Sequence, residues 1–339
     1  MTRVGVVGFA SEVVSASDDR NDAELLAPVV DRALEASRVS PTDIEVVGTA
    51  GSEFLNGVVG GVMGAFDALP GWPPRAHSHL EADGAFALYE SWVRLMAGEG
   101  RAALVCAFSR PLAHDPLSVL ALQLDPYLVQ PVRPDATSLA ALQARALVDS
   151  GRYRESDFAT VVTARRGGGD VDDLLRDPYI ASPLRPLDCS TVCSGAAAMV
   201  LAVDEVAGRS EGRPAWITGI GHRMERQSLG ARDLSMSPST SAVSTDVGLS
   251  GSAVDVLEVH APYSHQELIL VEAMSAAEID RLNPSGGALP ADPVMATGLI
   301  RIGSAAAAIT SGQAHRAAGH ATNGACLQHN LICLMEADR

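Results

Sequence analysis

The sequence predicts an α/β protein built of two similar halves, and three observations carry that expectation. Short apolar runs at residues 102–108, 196–203 and 331–336 read as buried strands. Segments with apolar residues at helical spacing alternate with such runs. From Ala215 the order begins again, so that each half reads strand, helix, strand, helix, loop, buried helix, strand. An internal duplication fits that repetition better than two unrelated units.

Residues 4–9 form the first predicted strand. Asp22–Ser37 follows as a helix with Leu25, Leu26, Val29, Val30 and Leu34 on one face. Ser40-Pro41-Thr42-Asp43 is a turn before a strand at 44–47. The glycine-rich segment 54–69 reads as a helix packed closely on its neighbours. Its glycines do not form GxGxxG after a strand, which argues against a phosphate loop. Pro70-Gly71-Trp72-Pro73-Pro74 then breaks the chain.

The stretch 79–98, HLEADGAFALYESWVRLMAG, organises the first half. Helical spacing runs from Ala85 to Met96, and Gly98 with Gly100 closes it. Glu81 stands just ahead, where unpaired helix N–H groups favour a negative charge. Residues 110–187, rich in Pro, Asp and Arg, form an inserted loop domain with helical pieces near 138–148 and 155–165. Gly167-Gly168-Gly169 reads as a surface turn. Residues 1–109 and 188–210 make the first half, and 211–339 the second. The second contains strands at 216–220 and 254–259, a helix Ser264–Met274, a Gly/Pro loop at 283–290, a small-residue helix at 294–310 and a last strand at 331–336.

Composition narrows the function. A net charge of −16 argues against nucleic acid or an anionic membrane as partner. No apolar run reaches the roughly 18 residues of a membrane span, and the first residues lack a basic leader; a cytoplasmic location is expected. Five cysteines in mostly apolar surroundings suit reduced thiols, with no disulfide and no metal site. All 25 basic residues are arginine. That excludes a Schiff-base aldolase, a pyridoxal-phosphate enzyme, a Walker A site and a Ser–Lys hydrolase, each of which needs a lysine.

Several motifs sit on this frame. Pro183-Leu184-Arg185-Pro186-Leu187-Asp188-Cys189 leads to Ser194-Gly195-Ala196-Ala197-Ala198. Glu258-Val259-His260-Ala261-Pro262-Tyr263 ends a strand, and Asn283-Pro284-Ser285-Gly286-Gly287 forms a loop. Together they resemble the thiolase superfamily over essentially the whole chain, through its SDGAAA, EVHDxF and NPSGG motifs. The nearer resemblance is to the sterol-carrier-protein-type thiolases and the bacterial lipid-transfer-protein branch, which includes steroid side-chain aldolases. It implies a thiolase-like fold, five layers αβαβα, with the loop domain inserted.

The departures from that family are chemical. Its CxSGxxAL motif registers on residues 81–88 and puts Glu81 at the nucleophilic cysteine. Its GHP motif falls on Ala291-Asp292-Pro293, with Asp292 in place of histidine. Its C-terminal cysteine motif falls near Asn323-Gly324, with Cys326 just beyond. A carboxylate is a poor substitute for a thiolate in acyl transfer. The resemblance therefore implies retro-aldol cleavage of a β-hydroxyacyl-CoA, from a steroid or lipid side chain, rather than thiolysis. CoA enters as part of the substrate, and no bound cofactor is expected.

The candidate residues for that lyase are His260 for the oxyanion, Tyr263 or Asp292 for the hydroxyl proton, and Glu81 nearby. Three of them have a structural reading as well. His260 is also readable as a core hydrogen-bonding group, Tyr263 as packing, and Glu81 as a helix cap or a partner of an arginine such as Arg75. His265 and Glu267 are read as solvated; His320 and His329, flanking the last loop, as structural. The resemblance further implies a homodimer or a heterodimer with a thiolase-like homologue, beside an OB-fold partner of the DUF35 type. The alternative function is a catalytically silent subunit that completes an active homologue.

Overall fold

The computed structural model describes residues 2–57, 61–71, 73–111, 115–122, 124–208 and 212–338. The first half runs β1 (Val4–Val14), α1 (Asp22–Ser37), β2 (Val46–Ala50), short α2 (Glu53–Asn56) and α3 (Gly61–Ala65), β3 (Ala76–Leu80), α4 (Gly84–Met96) and β4 (Ala102–Ser109). Among the described residues, α5 (Pro116–Ala121), α6 (Ala136–Asp149), α7 (Glu155–Arg166) and α8 (Val171–Leu174) follow before the next strand. Strand β5 (Ser194–Val203) and α9 (Asp204–Ala207) return the chain to the first half. The second half runs β6 (Ala215–Met224), α10 (Pro238–Asp246), β7 (Ala253–Glu258), α11 (Ser264–Met274), β8 (Glu278–Leu282), α12 (Thr297–Thr310), β9 (Arg316–Asn323) and β10 (His329–Glu336).

The ten strands lie in the order β3-β2-β4-β5-β1-β6-β10-β9-β7-β8. Read outward from the middle, both halves have the same order. In each half the two outer pairings are parallel and the inner ones antiparallel. Within the sheet the halves join through β1 and β6, at Gly5 opposite Trp216 and Val6 opposite Ala215.

Side-chain alternation turns this sheet into five layers. In β4, Ala103, Val105 and Ala107 face a central core, whereas Leu104, Cys106 and Phe108 face an outer one shared with α1. In β10, Leu331, Cys333 and Met335 point to the same central core. Ile332 and Leu334 point outward to a third core with Val243 of α10 and Ile269 of α11. Helices α4 and α12 fill the centre with Ala85, Leu88, Leu299, Ile302 and Ala306. A fully buried leucine contributes about 1.5–3 kcal/mol, so the buried apolar faces of these two helices hold them here more than propensity does.

The expected long helix over 54–69 is corrected: α2 ends at Gly57 in a left-handed turn (φ 68°), and a 3₁₀ turn covers Phe66–Ala68 after α3. Residues 58–60 of that expectation, and Trp72 of the chain break, lie outside the described residues. No helix among the described residues is long and apolar enough to cross a membrane.

Candidate active site

The helices α4 and α12 start side by side, and Asp83 ties them together. As N-cap of α4 it accepts from the Ala85 N–H at 2.8 Å, and its second oxygen accepts from Gly298 N–H in α12 at 2.7 Å. The Gly84 N–H reaches Met295 O at 2.8 Å. Asp83 thus satisfies orphan donors of two helices at once. Burial still pushes its carboxyl up to about 7, against the pull of those N–H groups.

His260 follows β7 and is 3 % exposed. Its Nδ1 lies 3.9 Å from Asp83 and has no hydrogen-bond partner; its Nε2 lies 3.8 Å from Asp292. Burial, aided by the charge of Arg301, lowers its pKa to about 3, so the imidazole is neutral. Arg301 itself is buried in α12, where it bonds Ser285 at 2.7 Å and faces Glu258 at 3.4 Å. Asp292 receives hydroxyl hydrogen bonds from Ser190 at 2.8 Å and Thr297 at 2.7 Å, yet burial raises its carboxyl above the ordinary range. Tyr263, at the start of α11, is buried and hydrogen-bonded to Thr137; burial also raises its phenol.

These groups share one cavity of about 300 Å³. Asp83, Ser190, His260, Tyr263, Gln266 and Asp292 line one part of it, and Leu120, Leu124, Leu139 and Ala140 of the inserted segment give it an apolar wall. Cys326 and Leu327, both in left-handed backbone (φ 54° and 59°), form another side. Three of the four residues singled out in the sequence therefore converge: His260, Tyr263 and Asp292.

Glu81 is not among the cavity-lining residues. It is exposed, and its two oxygens accept from the Glu53 N–H at 2.9 and 3.2 Å, capping α2 instead of α4. The expected placement at the start of the long helix is off by two residues, because Asp83 holds that position. A second correction concerns α11. His265 and Glu267 are buried, not solvated: His265 approaches Gln143 at 3.3 Å, and Glu267 takes a two-pronged bond from Arg165 and another from Asn283. His320 is buried against Asn330 at 3.1 Å, and His329 pairs with His222 at 2.9 Å.

Sequence reasoning missed Asp83, Ser190, Gln266 and Thr297. Asp83 alone carried a signal, an N-cap residue type directly before a helical run.

The linkage of Asp83 has a definite sign. Its folded pKa, about 7, lies above the ordinary aspartate value of 3.8, so the folded state holds the proton between those values. The resulting stability is present below about pH 4 and is lost as pH rises to about 7, roughly 4 kcal/mol in all. Asp83→Asn is therefore expected to make unfolding free energy less dependent on pH over that interval. Urea unfolding at pH 4.5 and 7.5 checks it; parallel shifts in both proteins would count against a raised Asp83.

No family model matches the chain, and no curated protein matches it in sequence. Its architecture is nevertheless the thiolase fold, as the strand order, the paired central helices and solved structures agree. Human mitochondrial 3-ketoacyl-CoA thiolase superimposes with a TM-score of 0.81 at 16% identity, covering 99% of each chain. The same enzyme in complex with CoA gives 0.77 at 16% identity, over 99% of this chain and 98% of that one. The Ltp2-ChsH2(DUF35) aldolase gives 0.77 and 16%, with the same coverage.

Proposed function

We propose that the chain is an acyl-CoA carbon–carbon lyase that cleaves a β-hydroxyacyl-CoA by a retro-aldol reaction, acting on a steroid or lipid side chain. The observation that carries this reading is a neutral His260 held between Asp83 and Asp292 on a cavity lined on one side by apolar residues. The thiols nearby are poorly disposed to nucleophilic chemistry. Burial pushes Cys326 and Cys193 up to about 11 and Cys189 up to about 12, so little thiolate exists at neutral pH.

In the proposed reaction the Asp292 carboxylate, made more basic by burial, takes the proton of the β-hydroxyl, directly or through Ser190. The oxygen's electrons form the new carbonyl and the Cα–Cβ bond breaks. The electron pair passes to the thioester oxygen, where the N–H of His260 stabilises the enolate. Return of one proton to Cα gives the shorter acyl-CoA and restores the carboxylate. Asp83 orients the site, since its two oxygens already serve helix N–H groups. Tyr263 contributes a neutral hydroxyl at the cavity wall, and Glu81 keeps its capping role.

Among the matched structures, one is the Ltp2-ChsH2(DUF35) aldolase and another a 3-ketoacyl-CoA thiolase in complex with CoA, which supports an acyl-CoA site and an assembly of this kind. We take the working unit to be a homodimer or a heterodimer with a thiolase-like homologue, with a DUF35-type OB-fold protein as further partner. The test supplies a β-hydroxyacyl-CoA to the chain, alone and with candidate partners, and measures free ketone or aldehyde together with the shortened acyl-CoA. Both products are expected in equal amounts. Their absence under every pairing overturns the lyase and leaves the silent-subunit alternative. Cys326→Ser is expected to change kcat by less than about threefold, because no covalent acyl-thiol is formed; loss of turnover in that variant restores a thiolase mechanism.

A further inference from the structure

Gln266 lies in the first turn of α11, lines the cavity and is 4 % exposed. A chain of partners sets its amide orientation. The Cys326 carbonyl can only accept, so the Gln143 amide nitrogen, 3.4 Å away, must face it. Gln143 Oε1 then turns toward α11, accepting from Gln266 Nε2 at 2.9 Å and His265 Nε2 at 3.3 Å. Gln266 therefore spends its nitrogen on Gln143. Its Oε1 is a buried acceptor with no donor in reach among the described residues.

A buried amide oxygen left in that state calls for a donor from whatever fills the cavity. The reacting β-hydroxyl has a single proton, and the base takes it. We infer that Gln266 is a specificity-determining residue whose side-chain carbonyl accepts a hydrogen bond from a second hydroxyl on the acyl group, separate from the one that reacts. The substrate class is thus a neutral, hydroxylated acyl group. A carboxylate at that point sets acceptor against acceptor, and Asp83 and Asp292 in the same cavity add to the mismatch.

This inference rests on the acyl-CoA reading of the site. Hexanoyl-CoA and its 4-, 5- and 6-hydroxy isomers test it, because without a β-hydroxyl none of them undergoes retro-aldol cleavage and calorimetry reads binding alone. At least one hydroxylated isomer is expected to bind about tenfold tighter than hexanoyl-CoA, since a site built to bond a hydroxyl disfavours the ligand lacking it. Gln266→Leu is expected to abolish that gain while keeping the affinity for hexanoyl-CoA. Gln266→Met serves as a second variant, and hexanoyl-CoA binding reports an intact cavity in both. Equal binding of all the ligands, or a gain that survives in both variants, overturns the inference alone. Failure of every ligand to bind the unmodified protein removes the acyl-CoA reading, and the inference with it.

Discussion

Gly298→Ala is expected to cost roughly 5 kcal/mol, comparable to the whole stability of many domains. A Cβ at Gly298 would sit 2.3 Å from Asp83 Oδ1 and 2.4 Å from Ala321 Cβ, closer than real contacts allow. Neither neighbour has room to retreat. Asp83 is held by both helix N-termini, and Ala321 is a fully buried residue of β9. The methyl must push α12 away from α4, and the Asp83 bond to Gly298 N–H is lost with that approach. An unsatisfied buried carboxylate oxygen and N–H add to the overpacking. Thermal and urea unfolding measure the effect. Gly230→Ala, where nothing lies within 4 Å of a new Cβ, is the control and should stay within about 0.5 kcal/mol. A Gly298→Ala protein as stable as that control would show that the helices do not meet as described.

The buried part of this fold was legible because burial leaves a simple record. Strands covered on both faces, such as β4 and β5, are continuous apolar runs, and Ser264–Met274 was bounded correctly by its flanking loops. The outermost strands were missed for the opposite reason. β3 reads AHSHL and β8 reads EIDRL, sequences with no fully buried residue whose strand character comes from the neighbour they pair with. β9, RAAGHATN, is buried but built of small residues with almost no β-branched side chain. Helix α10, PSTSAVSTD, has no apolar stripe, since it packs with serines and threonines. At the site, His260, Tyr263 and Asp292 are legible through the resemblance of their segments to the EVHDxF and GHP motifs. Glu81 stands out in the sequence because the CxSGxxAL register falls on it, whereas the helix itself starts at Gly84 with Asp83 as its cap. The cavity residues Ser190 and Gln266 come from segments distant in the chain, and only their tertiary neighbours distinguish them from any other serine or glutamine.

His260→Ala is expected to lower kcat by about 10²–10³, the usual loss when one oxyanion donor is removed. KM for the acyl-CoA should change little, because the donor acts on charge that develops after binding. Folding should survive: the imidazole makes no bond of its own at Nδ1, and both flanking carboxyls keep their other partners. Unfolding measured beside kinetics separates a chemical loss from a structural one. The pH dependence supplies a sharper discriminator. With a pKa lowered to about 3, His260 stays neutral across the range where ordinary histidines titrate, so its N–H donor is present throughout. The rate profile should therefore show no break near pH 6.5 belonging to this residue, whereas a limb near 7 that disappears in Asp83→Asn belongs to the carboxyl beside it. A break near 6.5 that vanishes in His260→Ala would assign the donor to an imidazolium and require the site to be wetter than its burial implies.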